Sequence, residues 1–474
     1  MALGNNILQG MEQMLPDALA RFGVAGLAMT VIQDETGDNI RAIGLKNIST
    51  RAAVTTRTLF PIGSLTKTFL SAALGILVDN KTMSWDAPVR AYIPEFRMFD
   101  VDASKMVTPR DLMNMTTGFS DHDILRYRSD ISVSEVVERL KYLEPACPFR
   151  SQWKYSNINY YVAAEIIGRI TGLSWDAFIE SEILRPLGMT DTVFSQGQAR
   201  EKKDYVTGYR LENGECVRCC SHAMDLCRLS PSGSMCSSVR DINLWVRLFL
   251  QGGSLDGARI LSPETHAEMT SPTTPTRLPD RLEGYYPEFY GSWGARNYRG
   301  YKMVYHQGSQ YGFRAFICFI PERKAGVAVL ANQHDSLLPH ALSYLALDRI
   351  LGLEPFAWDR YLQWYDQNLP KPQKKRSRKS IPVTKREATR YVGEYSHPGY
   401  GKITVLCQKN SLGIEYNGYL ASIRRTMKDS WEVKFAEWPT MSVRFKTNSQ
   451  GVVENLYCPM DHPKGKEVKF VRIS

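Results

Sequence analysis

Ser64 and Lys67 stand three residues apart where an irregular segment, Phe60-Pro61-Ile62-Gly63, gives way to a strongly apolar run. Leu65 to Val78 reads as a buried helix packed through Phe69, Leu70, Ala73, Leu74 and Leu77. The three-residue spacing places Lys67 on the face of Ser64, within reach of its hydroxyl. A serine hydroxyl is a poor nucleophile at neutral pH, and a lysine amine becomes a useful base when burial and neighbouring charge lower its pKa. The helix N-terminus adds partial positive charge and free N–H groups that favour an oxyanion. One short motif can therefore supply a nucleophile, a base and part of an oxyanion site. Taken alone it reads better as a capping serine followed by a surface lysine.

Two later segments change that balance. Tyr155-Ser156-Asn157 opens a second apolar helix, Ile158 to Thr171, ended by Gly172. His306-Gln307-Gly308-Ser309 lies between two predicted strands, Tyr301 to His306 and Ala315 to Ile320. The order S-x-x-K, Y-x-N, then H-x-G resembles the serine β-lactamase and penicillin-binding-protein superfamily. The likeness extends to Thr58-Leu59-Phe60, Leu112 to Phe119, Leu184-Arg185-Pro186-Leu187-Gly188-Met189, Ser232-Gly233-Ser234-Met235 and Tyr290-Gly291-Ser292-Trp293-Gly294. It covers about residues 5 to 355 and looks most like the class C β-lactamase, esterase and D-aminopeptidase branch.

The resemblance implies roles. Ser64 attacks a carbonyl to form an acyl-enzyme, and Lys67 and Tyr155 share the proton transfers. Asn157 orients Lys67 or binds a substrate amide. The N–H groups of Ser64 and Ser309 form an oxyanion hole, and Gly308 permits close backbone approach. His306 replaces the lysine that in penicillin-recognising relatives helps to hold a substrate carboxylate. A neutral histidine carries less permanent charge, which favours an ester or amide without an obligatory carboxylate. Arg314 is a second candidate cation, with solvent exposure as its alternative. Three function classes follow: a serine hydrolase; an acyltransferase, thioesterase or cyclase of natural-product biosynthesis using the same site; and a non-catalytic binding protein of the same fold. No cofactor is expected, and the partner is a small-molecule ester, thioester or amide.

The elements that must position these residues follow from the pattern. A chain of 474 residues exceeds a typical single core. Residues 6 to 22 read as a first helix, Val24 to Ile32 and Ile40 to Leu45 as a strand pair, and residues 64 to about 270 as mainly helical. The sheet resumes at Tyr290 to Asn297, Tyr301 to His306, Ala315 to Ile320 and Gly326 to Asn332, with Leu337 to Leu351 as a closing helix. This is an α+β fold, an antiparallel sheet flanked by helices plus a helical region. Past residue 384, eight short strand patterns with an Asn417-Gly418 hairpin signal predict a small antiparallel barrel, which resembles the lipocalin-like domain of many hydrolases of this family. It is read either as an appendage or as a wall of the substrate entrance. The expected division is 1–366 for the hydrolase domain, 367–383 for a linker and 384–474 for the barrel.

Composition narrows the rest. Residues 371–380 hold six basic and no acidic residues, more than half of the +10 net charge. Flanking prolines make this an exposed linker rather than a nucleic-acid patch. No apolar stretch approaches the ~18 residues of a membrane span, and no secretory signal is visible at Met1-Ala2-Leu3-Gly4. Nine scattered cysteines suit reduced thiols and a cytoplasmic location. Cys216, Cys219, Cys220 and Cys227 lack a paired zinc spacing and read as a hairpin or loop. The aromatics Tyr285, Tyr286, Phe289, Tyr290, Trp293, Tyr298, Tyr301 and Tyr305 are candidates for a hydrophobic acyl pocket or for ordinary packing.

Overall fold

The computed structural model describes residues 9–33, 38–125, 131–219, 230–271, 274–276, 288–354, 356–368, 381–408, 411–427, 430–434, 440–460 and 465–474. Its N-terminal part is built on a nine-stranded sheet in the order Thr274–Pro275, Glu288–Tyr290, Trp293–Tyr298, Tyr301–Gln310, Phe313–Ile320, Ala325–Ala331, Gly26–Gln33, Asp38–Asn47, Ala52–Ala53. All the pairings are antiparallel, and the strand Gly26–Gln33 joins the early strands to the late ones by pairing Leu27 with Ala331 and Ala28 with Leu330.

Alternation along Gly26–Gln33 sends Leu27, Met29 and Val31 to one face, where they pack with the helices Leu15–Phe22 and Leu338–Leu351. Ala28 and Ile32 face the other side with Phe69 and Trp245, and Thr30 donates to Asn243 Oδ1 at 2.6 Å on the helix Val239–Leu250. That helix carries Trp245, whose ring stacks on Phe69 at 4.0 Å and whose Nε1 donates to Thr68 Oγ1 at 3.0 Å. The helix Thr66–Asp79 is buried all round from Thr66 to Leu77, which explains its near-continuous apolar run.

The first helix is shorter than the pattern predicts. Gln9–Glu12 and Leu15–Phe22 are separate helices: Pro16 has no N–H to donate back to Glu12 and stands in the first turn of the second helix. A further helix, Trp358–Asn368, follows the closing helix.

Beyond residue 381 the chain forms a closed eight-stranded antiparallel barrel, Gly393–His397, Gly401–Gln408, Ser411–Tyr416, Tyr419–Met427, Ser430–Val433, Met441–Thr447, Val453–Cys458 and Val468–Arg472. Closure is made by Tyr395 pairing with Arg472. Tyr391, Tyr395, Trp431 and Phe445 fill its interior. Asn417 and Gly418 both have positive φ, 50° and 71°, as a two-residue turn between Tyr416 and Tyr419 requires. The basic run 371–380 lies outside the described residues.

Candidate active site

Ser64 sits in a 3-10 turn, Gly63–Leu65, that runs directly into the helix Thr66–Asp79. Gly63 takes φ 53°, and a Cβ there would lie 2.8 Å from the Ser309 carbonyl oxygen and 2.9 Å from its nitrogen. From the other side, a Cβ on Gly308 would lie 1.9 Å from the Ile62 carbonyl oxygen. The turn before Ser64 and the strand Tyr301–Gln310 therefore meet backbone to backbone, and glycine is required on both sides. Trp293–Tyr298 pairs with this strand from Tyr301 to Tyr305 and no further.

Lys67 is fully buried. Its Nζ donates to Ser64 Oγ at 2.9 Å and to the Ser232 carbonyl at 2.5 Å, and lies 5.1 Å and 5.4 Å from the ring centres of Tyr155 and Tyr160. Tyr155 OH donates to Ser64 Oγ at 2.9 Å. Ser64 and Tyr155 remain partly exposed, whereas Asn157 is buried. The three residues expected to do the chemistry thus meet at one oxygen, Ser64 Oγ.

Asn157 occupies the N-cap of the helix Ile158–Thr171 but makes no capping bond. Its Nδ2 donates instead to Asp123 Oδ1 at 2.9 Å. The preceding segment is pinned by Lys154 N–H to the Met115 carbonyl at 2.8 Å and by Ser156 Oγ to the Ser120 carbonyl at 2.7 Å.

His306 is buried, and its Nδ1 lies 2.7 Å from the Gln307 carbonyl. A carbonyl only accepts, so Nδ1 carries the proton and Nε2 of the neutral ring is an acceptor. Burial first, and then the charge of Lys67, push its pKa down to about 3, so the ring stays neutral through the physiological range. Arg314 is paired in register with Ser309 and so shares its sheet face, opposite to that of His306. There it donates to Gln307 Oε1 at 3.1 Å and lies 3.6 Å from Asp335.

Beneath Lys67 lies a buried hydroxyl cluster that the sequence motifs do not announce. Ser292, at φ 70°, donates to the Lys67 carbonyl at 2.9 Å and meets Ser71 Oγ at 2.7 Å and the Tyr160 hydroxyl. Burial pushes Tyr160 up to about 12, which keeps it a neutral donor. Ser292 lies in one of the family-like segments and Ser232 in another, and spacing could have raised both. Tyr160 and Asp123 carry no such signal.

Trp293 and Tyr298 are core residues, so packing is the outcome for them. Tyr285 and Tyr286, and the side chains of Phe289 and Tyr290, lie outside the described residues. Tyr209–Glu212 and Glu215–Arg218 form the hairpin expected around Cys216, while Cys220 and Cys227 also fall outside.

The fold and this geometry define a serine-hydrolase scaffold, and the chain belongs to the beta-lactamase family, whose model matches residues 11–349. Residues 377–472 match a domain of unknown function, DUF3471. The chain is 27% identical over 429 residues to unguisins hydrolase ungD' of Aspergillus campestris, covering 85% of this chain and 78% of that one. It is 24% identical over 350 residues to protein flp of Staphylococcus aureus, covering 72% and 66%. Among solved structures, the octameric penicillin-binding protein homologue of Pyrococcus abyssi superposes with a TM-score of 0.64 at 21% identity, covering 98% of this chain and 100% of that one. The D-amino acid amidase of Ochrobactrum anthropi SV3 gives 0.61 at 23%, covering 73% and 98%. Both show a shared fold. Among the described residues no helix is long and apolar enough to cross a membrane.

Proposed function

We propose that this chain is a serine hydrolase that cleaves an ester or amide through an acyl-enzyme on Ser64. The observation that carries the reading is the convergence of Lys67 Nζ and Tyr155 OH on Ser64 Oγ, each at 2.9 Å. Ser64 Oγ bonds to the substrate carbonyl carbon as its proton leaves through Lys67 and Tyr155. The carbonyl oxygen becomes an oxyanion facing the N–H groups of Ser64 and Ser309. Collapse breaks the bond to the leaving alcohol or amine, which takes the proton. Water then repeats the sequence in reverse, freeing the acid and Ser64. The hydrolase name of the fungal relatives supports water as the acceptor.

His306 refines the substrate class. A neutral ring whose Nδ1–H is engaged by the Gln307 carbonyl has no second N–H to offer a carboxylate. Its Nε2 suits a substrate N–H or O–H. The favoured substrate is therefore a neutral amide or ester with a donor next to the scissile carbonyl, not a penicillin-like acid.

The test is intact-protein mass after brief exposure to a short-chain activated ester, comparing the native chain with Ser64→Ala. A single acyl adduct or rapid turnover that needs Ser64 is the expected result. Equal labelling of Ser64→Ala would refute the assignment. Adding an amine acceptor then separates hydrolysis from transfer, since a transfer product formed at the expense of acid would favour the acyltransferase reading.

A further inference from the structure

The loop Ser120–Ile124 is held between two structures. On one side lies the Tyr155 segment: Ser156 Oγ donates to the Ser120 carbonyl at 2.7 Å, Lys154 Nζ lies 3.2 Å from both Asp121 carboxylate oxygens, and Asn157 donates to Asp123 at 2.9 Å. On the other side lies one end of the barrel. His122 Nδ1 meets the Tyr400 hydroxyl at 2.7 Å, and Asn417 Nδ2 donates to the Ile124 carbonyl at 3.3 Å. Site contacts and barrel contacts interleave along consecutive residues, so a shift of the barrel end moves the loop that orients Asn157.

The barrel end is shaped for this contact. Tyr400 ends the three-residue turn between Gly393–His397 and Gly401–Gln408. His397 Nδ1 closes that turn by accepting from the N–H groups of Gly399 and Tyr400 at 3.0 Å and 3.2 Å, and Tyr416 OH donates to the Tyr400 carbonyl at 2.8 Å. A Cβ on Gly399 would meet Leu143 at 2.5 Å, so the turn lies tight against the N-terminal domain. Tyr400 and His122 are both nearly inaccessible, 4% and 2% exposed. His122 adopts φ 42°, a conformation costly for a non-glycine residue that persists only where the surroundings over-determine it.

We propose that the C-terminal barrel is a positioning element of the active site, acting through Tyr400 and Asn417 on the loop Ser120–Ile124 and so on Asn157. The proposal rests on Asn157 being part of the catalytic site. Neither Tyr400 nor Asn417 is a catalytic residue; both act through the loop.

The experiment has two arms in the full-length chain. In the first, acylation by an activated ester is measured for Tyr400→Phe, Asn157→Ala and their combination. Tyr400→Phe is expected to lower kcat/KM about tenfold, mostly in kcat, as a lost buried bond lets the site relax. In the Asn157→Ala background it costs less than about twofold, the non-additivity of residues acting as a unit. Full additivity would overturn the route through Asn157. In the second arm, hydrogen exchange is followed in peptides spanning residues 116–125 and 153–160. Both are expected to exchange faster in Tyr400→Phe, and unchanged exchange would overturn the bracing whatever the chemistry of Ser64. Asn417→Gly keeps the turn's positive φ while removing the side chain, and it gives the same readout should Tyr400→Phe fold poorly. If Ser64 proves unreactive in the native chain, the catalytic reading falls and the exchange arm still decides the bracing.

Discussion

Gly308→Ala is the sharpest perturbation of the site, because it adds one methyl group and no polarity. That methyl would lie 1.9 Å from the Ile62 carbonyl oxygen, where ordinary contact begins near 3.4 Å. Relief requires the strand and the turn before Ser64 to part by about 1.5 Å, the difference between those two distances. Neither partner is a flexible side-chain end: one is a backbone carbonyl, and the strand is held by its pairing with Phe313–Ile320. Forced overpacking of this kind costs about 1 to 3 kcal/mol of stability, which the whole chain is expected to survive.

Catalysis should suffer more. The same displacement separates the N–H of Ser309 from that of Ser64, and losing one oxyanion donor costs about 10² to 10³ in kcat. The measurement is the acylation rate with an activated ester, by rapid-quench intact mass, beside thermal unfolding of the same sample. The expected result is at least a ~100-fold slower acylation with a melting temperature lowered by only several degrees. Acylation within threefold of the native rate would refute the idea that this backbone contact sets the reaction geometry.

Ser64→Ala is expected to abolish acylation with unfolding unchanged, read by adduct mass and circular dichroism. Lys67→Ala and Tyr155→Phe should each slow acylation by about 10² to 10⁴, and near-native turnover of either variant would remove that residue from the proton path. Stability should fall in acid: burial holds His306 neutral down to about pH 3, and His340 well below its ordinary range too. The unfolded chain binds those protons near pH 6.5, so stability is full above 6.5 and declines as the pH drops toward 3. Between pH 7 and 4.5 the His306 ring accounts for about 2 to 3 kcal/mol, and His340 acts in the same direction. Urea unfolding of His306→Gln should show a correspondingly shallower loss, and an identical loss would contradict the buried neutral ring. His306→Lys should gain β-lactam turnover if the missing cation is what excludes carboxylate substrates, and no gain would weaken that argument.

Much of this arrangement was legible because its signals are local. The helix carrying Lys67 follows from an apolar run with no breaks, the Ser64 to Lys67 contact from helical spacing, and the barrel hairpin from Asn417-Gly418. The early strand pair and the late strands are legible as parts of one antiparallel sheet, while their order within it has no local signal. What could not be read is contact without pattern. Asn157 looks like a helix cap by position, yet its amide turns to Asp123, a partner that no periodicity names. Ser232 serves Lys67 through its carbonyl, so its side-chain type carries no information about that role. Tyr160 meets the Ser292 hydroxyl beneath Lys67 through a side chain that the sequence presents only as an ordinary core residue.

The same distinction explains why the barrel was visible as a fold while its role was not. Turn chemistry dictates that Asn417 and Gly418 take positive φ, and nothing in that requirement says what the turn touches. The partner is a loop whose own strained residue, His122, makes sense only once Tyr400 is placed against it. A conformation that costs free energy in isolation is maintained by contacts from both domains, so neither half of the chain alone specifies it. The position of Asn157 therefore depends on residues nearly 250 places further along the chain. Removing the barrel should thus impair the site even though every residue bonded to Ser64 lies outside it.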